Sequence, residues 1–99
     1  MTEHTVTEIA ICTVSDREAA EAARRAAMDA VRHYPGFIGW QALAELEDGD
    51  TIADIVEWRD KAAADAAADK VRRDPAFAPY MAAISAVKFM RHFKAQEAI

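Results

Sequence analysis

Glycine, proline and cysteine are all scarce in this chain, at three, three and one among 99 residues. The single cysteine, Cys12, excludes an internal disulfide, so nothing ties the fold to an oxidising compartment and a cytoplasmic location is expected. With no histidine motif or helix N-terminus beside it to favour a thiolate, Cys12 reads as a small buried hydrophobe. No run reaches the roughly 18 apolar residues of a membrane span, and the opening MTEHTVTEIA carries acid where a secretory signal carries base. Neither a targeting segment nor a membrane partner is expected.

Positive charge is also in short supply. Twelve Lys and Arg face 17 Asp and Glu, leaving a net charge of −5, which argues against a surface built to neutralise nucleic-acid phosphates. The three histidines, His4, His33 and His92, lie far apart and show no ligand spacing, so no metal site is expected. Gly36 and Gly39 form only a G-x-x-G fragment at a strand start, without the strand-to-helix turn of a phosphate cradle. No cofactor is implied.

What is present fits a folded α+β protein. Hydrophobic residues make up 53% and charged residues 29% of the chain, ordinary values for a globular protein. Residues 1–99 suit one domain, which at this size buries only about 60–65% of its unfolded surface and gains from self-association. Val6 to Val14 is rich in β-branched side chains and reads as a strand. Ser15 and Glu18 have capping-box spacing, predicting a helix from there to about His33. Its stripe of Ala20, Ala23, Ala27, Val31 and Tyr34 faces a sheet, while Arg17, Glu21, Arg24, Arg25 and Arg32 form a charged face expected in solvent. Pro35-Gly36 ends it.

A β-hairpin follows, turning at Asp48-Gly49. A two-residue turn matches Leu43 with Asp54, Gln41 with Val56 and Gly39 with Trp58. Ile38, Trp40, Ala42, Ala53 and Ile55 then share an apolar face toward the helices, and Gln41, Leu43, Asp54, Val56 and Trp58 share a mixed one. A longer turn would exchange this parity. Asp60 caps a second helix, Lys61 to Arg72, with Ala63, Ala66, Ala67 and Val71 toward the sheet. Asp74-Pro75 opens a short helical segment. The last strand begins at about Ala86, its aromatic set, Phe89 and Phe93, expected against the helices, and Met90 and His92 on the mixed face. The order is βαββαβ: a ferredoxin-like, four-stranded antiparallel sheet with helices on one face.

The mixed face holds the candidate chemistry. A carboxylate such as Asp54 in mid-strand is costly unless paired or wet, which makes it either a cavity base or half of an ion pair with Arg91, Lys88 or a partner subunit. His92 can carry a proton near neutral pH. Trp58, Tyr80, Met90, Gln41 and Leu43 are the candidate substrate contacts. An RNA-recognition reading of the same topology fails, because VTEIAICTV lacks the aromatic residues that stack bases.

YPGFIGWQALAEL, the acidic turn EDGD, IVEWRDKAAADAA and DPAFAPYMAAISAVKFMRHF together resemble the antibiotic biosynthesis monooxygenase family. That resemblance covers most of the chain. It implies a dimeric α+β barrel, formed by two ferredoxin-like subunits packed sheet to sheet, with a cavity for a small aromatic or polyketide-like molecule. Haem-degrading members place an Asn on the first strand and a Trp and a His around the second helix. Here the strand has no Asn, the helix has no Trp, and Tyr80 stands about where the His would be. Haem degradation is therefore not expected. The resemblance implies instead a cofactor-independent monooxygenase, for which the residues read above offer Asp54 or His92 as base. A non-catalytic dimeric binding or assembly module is the alternative.

Overall fold

The computed structural model describes residues 4–99. Residues 1–3, part of the acidic opening read above for a targeting signal, lie outside the described residues. Four strands and three helices run in the order β1 (Val6–Val14), α1 (Arg17–Val31), β2 (Phe37–Ala44), β3 (Thr51–Trp58), α2 (Lys61–Val71), α3 (Ala78–Ala83) and β4 (Ile84–Phe93). The sheet order is β2-β3-β1-β4, and every pairing is antiparallel. This is the ferredoxin-like arrangement expected from the sequence.

Local chemistry sets the element ends. Asp16, not Ser15, caps α1: its carboxylate accepts the Ala19 N–H at 3.1 Å, one residue later than the capping-box reading. Asp60 caps α2 as expected, accepting the Ala63 N–H at 2.8 Å. Gly36 links α1 to β2 at φ +80°, and a Cβ there would collide with the Cβ of Ala63 on α2. Only glycine fits both the left-handed backbone and the close approach.

The hairpin turn is longer than two residues, and that reverses the expected faces. Leu43 pairs with Ala53, Ala42 with Asp54, and Trp40 with Val56. A two-residue type I′ turn needs positive φ at both central positions, yet Gly36 is the one positive-φ residue among those described. Acidic side chains build the wider turn instead. Glu45 accepts the N–H groups of Glu47 and Asp48, while Asp48 accepts the Asp50 N–H and the Thr51 hydroxyl, each at 2.8 Å. Trp40 and Ala42 therefore share a face with Asp54, Val56 and Trp58; Gln41 and Leu43 point the other way.

The face carrying Asp54 is also the one the helices cover. Cys12, Val14, Ile52, Val56 and Trp58 are buried on it against Ala20, Ala27, Val31, Ala63, Ala64 and Ala67. Small helix side chains let α1 and α2 lie close to the sheet. Each fully buried Val or Ile contributes roughly 1.5–3 kcal/mol of transfer free energy before entropy is counted. Trp40 and Phe77 pack against both core clusters.

On β4 the expected orientation is also corrected. Ile11 pairs with Phe89 but Cys12 pairs with Val87, so Lys88 is an extra residue at a bulge. The bulge turns Val87, Met90 and His92 toward the helices and leaves Phe89 and Phe93 stacked on the open face, ring centroids 6.1 Å apart.

Candidate active site

Asp54 sits in the buried alternation of β3, flanked by Ala10 on β1 and Ala42 on β2. Those small neighbours leave room above the carboxylate. Trp40 Nε1 donates to Asp54 Oδ1 at 2.9 Å, and the Tyr80 hydroxyl donates to Oδ2 at 2.5 Å. Arg24 completes the cluster, with Nε 3.0 Å from Oδ1 and donating to the Tyr80 oxygen at 3.2 Å. Asp54 and Arg24 are only 6% and 7% exposed. Buried charges of this kind hold only when paired and hydrogen-bonded, and here both conditions are met.

Arg24 is the residue whose expected placement is overturned. Rather than lying on a solvated face, it reaches inward from α1 and also donates to the carbonyls of Leu43 and Ala53, at 3.4 and 3.3 Å. Its spacing was the available signal: Ala20, Arg24, Ala27 and Val31 follow the four-three-four rhythm of a buried stripe. The ion pair expected for Asp54 exists, but with Arg24 instead of Arg91 or Lys88. Burial, and then the Asp54 charge, push the Tyr80 phenol well above the ordinary range, so Tyr80 stays a neutral donor.

A second polar group lies beside the first. Glu8 on β1 stands between Val56 and His92 in register, and His92 Nε2 is 3.4 Å from Glu8 Oε1. Burial raises the Glu8 carboxyl above its usual value and the Asp54 charge adds to this, while His92 and the Trp58 indole N–H pull the other way. Both nitrogens are buried and bear on the Glu8 carboxylate, but neither is aligned with it closely enough for a well-formed hydrogen bond.

Between sheet and helices is a cavity of about 190 Å³. Glu8 and Asp54 supply its charged wall, and Trp40, Trp58, Tyr80, Met90, Phe77 and Val87 are prominent in the rest of the lining. The cavity thus gathers Asp54, Trp58, Tyr80 and Met90 from the candidates named above. It does not gather Gln41 or Leu43, which lie on the opposite sheet face, and His92 borders it through Glu8. Trp40 and Glu8 are additions; strand alternation marks Glu8, within Val6, Glu8, Ala10 and Cys12, as pointing inward. Cys12 also lines the cavity, and burial followed by the Asp54 charge raises its thiol, which disfavours a thiolate. Among the described residues, no group of three or more His, Cys, Asp or Glu could hold a metal ion, and no helix is long and apolar enough to cross a membrane.

A ferredoxin-like domain with a mostly apolar, carboxylate-bearing cavity beneath its helices defines the class of this protein. Residues 6–83 match the antibiotic biosynthesis monooxygenase family, and the chain belongs to it. SnoaB, a cofactor-independent oxygenase from Streptomyces nogalater, is similar at 27% identity over 97% of both chains, with a TM-score of 0.71. A structure from Nitrosomonas europaea named for the same family has 13% identity, covers 97% of this chain and 94% of its own, and superposes at a TM-score of 0.78. Another, from Bordetella bronchiseptica, has 16% identity, covers 98% and 100%, and reaches 0.77. At those identities the last two speak for the fold. No functionally curated protein matches the sequence.

Proposed function

We propose that this chain is a cofactor-independent monooxygenase that oxidises a small hydroxylated aromatic molecule held in the cavity beneath α2 and α3. The observation carrying this reading is a mostly apolar cavity with ionisable side chains set into its wall, in a chain 27% identical to a cofactor-independent oxygenase over nearly its whole length. A cavity of about 150 Å³ accommodates benzene, so 190 Å³ suits a single-ring phenol better than an extended polyketide.

Loss of the phenolic proton leaves an electron-rich ring that O₂ can oxidise. In net terms one phenol and one O₂ give one quinone and one water. His92 and Asp54 are the ionisable candidates carried from the sequence. Trp58, Tyr80 and Met90 exclude water from the anion. The hydrogen bonds Asp54 accepts from Trp40 and Tyr80, and its ion pair with Arg24, favour a positioning role for it, holding the wall in shape. The protein acts as a homodimer in the cytoplasm, joined through the open sheet face that carries Leu43, Phe89 and Phe93.

Oxygen uptake and product analysis against a panel of hydroxylated aromatics test this reading. Wild type should consume O₂ and form a quinone, His92→Ala should be slowed, and Asp54→Asn should lose activity along with stability. Absence of uptake with every phenol in the panel would leave a non-catalytic binding module as the better account.

A further inference from the structure

The Glu8 corner of the cavity differs from the Asp54 corner in one respect that decides its chemistry. Around Asp54 the donors of Trp40, Tyr80 and Arg24 are already committed to protein acceptors. Around Glu8, two buried nitrogens, Trp58 Nε1 and His92 Nε2, have no hydrogen-bond partner. A buried polar group left without a partner is costly. Trp58 is 3% exposed and lines the cavity with Glu8. Both nitrogens bear on the Glu8 carboxylate without forming a well-aligned hydrogen bond to it, so they remain open to an oxygen that enters the cavity beside Glu8.

We propose that Glu8 is the proton acceptor for a substrate hydroxyl, and that the Trp58 indole N–H, with His92 Nε2 when protonated, receives the oxygen anion that remains. The inference rests on the aromatic-ligand reading above and names the end of the cavity where the hydroxyl sits. The substrate donates its O–H to a Glu8 oxygen. That bond breaks, its electron pair stays on the substrate oxygen as phenolate, and the proton forms a new O–H bond on Glu8. Negative charge moves from carboxylate to phenolate with no net change in the cavity. Burial raises the proton affinity of Glu8, which brings it nearer to that of an acidic phenol. The groups facing it are His92 on β4 and Asp54 and Trp58 on β3. The ligand class is a phenol or enol whose ring occupies the apolar end.

The probe is p-nitrophenol, whose phenolate is read by absorbance, titrated with protein below the probe's own ionisation pH. Wild type should bind it and raise the phenolate fraction. Glu8→Gln should still bind but lose the phenolate signal by about ten-fold, one unit of proton affinity. Glu8→Asp, which withdraws the carboxylate by one methylene, should lose most of it. Trp58→Phe should weaken phenolate retention by about ten- to a hundred-fold, one hydrogen bond to a charged group. An unchanged phenolate signal in Glu8→Gln would overturn the role of Glu8 and leave aromatic binding standing. Failure of wild type to bind the probe would remove both readings.

Discussion

Arg24 Nε lies 3.0 Å from Asp54 Oδ1, and both side chains are less than a tenth exposed. This ion pair pins α1 to the middle of the sheet, and each charge depends on the other for its place in a low-dielectric interior. Asp54→Asn keeps the shape but offers one acceptor oxygen where Trp40 and Tyr80 use two, and it leaves a guanidinium uncompensated. It should cost about 3 kcal/mol, the usual size for breaking a buried pair from one side. Arg24→Met combined with Asp54→Asn removes both charges and should recover at least half of that loss. Urea unfolding of wild type, Asp54→Asn, Arg24→Met and the double variant gives the comparison, and strictly additive losses would show that the two residues are not coupled.

The same pair shows where sequence reasoning succeeds and where it stops. The order of strands and helices follows from periodicity, which is local, and Asp54 was legible as an anomaly because a carboxylate interrupts an apolar alternation. Its partner was harder to see, since charge suggested a solvated Arg24 while its spacing suggested burial. The faces of the hairpin depended on one unit of turn length. Glu45 and Asp48 accept turn N–H groups with their side chains, and no positive φ is needed at Gly49. That single residue exchanged Gln41 for Trp40 at the site. The bulge at Lys88 had the same effect on β4, moving Phe89 to the open face, and bulges leave little trace in a sequence.

Gly36 and Gly39 lie three residues apart but should respond in opposite ways to alanine. At Gly36 the backbone is at φ +80°, and an added Cβ meets the Cβ of Ala63. Gly36→Ala should therefore destabilise by about 2–3 kcal/mol through backbone strain and the clash with α2. At Gly39 an added Cβ meets no atom within 4 Å, so Gly39→Ala should be neutral or gain up to about 1 kcal/mol from a less flexible unfolded chain. Thermal melts of the two variants, run side by side, distinguish them; equal losses would contradict the geometry.

On the open face of the sheet, Phe89 is 37% and Phe93 43% exposed, with Leu43 at 37% across the sheet. Aromatic residues stacked on an uncovered β-surface favour association, and the proposed dimer covers them. Phe89→Lys with Phe93→Lys should shift the protein toward monomer at micromolar concentration in sedimentation equilibrium, because unpaired charge would have to be buried in the interface. The cavity lies on the other side of the sheet, so p-nitrophenol binding per subunit should be retained. A variant as dimeric as wild type would place the interface elsewhere.

Glu8 gives stability a pH dependence of its own. Its carboxyl titrates above the ordinary value of 4.5 because burial outweighs the attraction of His92 and the Trp58 N–H, with Asp54 adding to burial. The folded state holds this proton more tightly than the unfolded chain. Stability from the protonated form is thus fully present below the ordinary value and is lost as pH rises through the higher folded one. Glu8→Gln cannot ionise and escapes that loss. The variant should match wild type near about pH 4 and exceed it by about 1 kcal/mol near about pH 7.5, an effect typical of relieving an underpaired buried group. Taking the difference between the two proteins at each pH cancels the carboxylates they share. In a His92→Asn background the advantage of Gln should grow, since the largest interaction favouring the Glu8 charge is gone. Urea unfolding across this pH range measures both effects, and a Glu8→Gln protein that is less stable at every pH would mean that Glu8 is held by interactions strong enough to make it a structural ion pair.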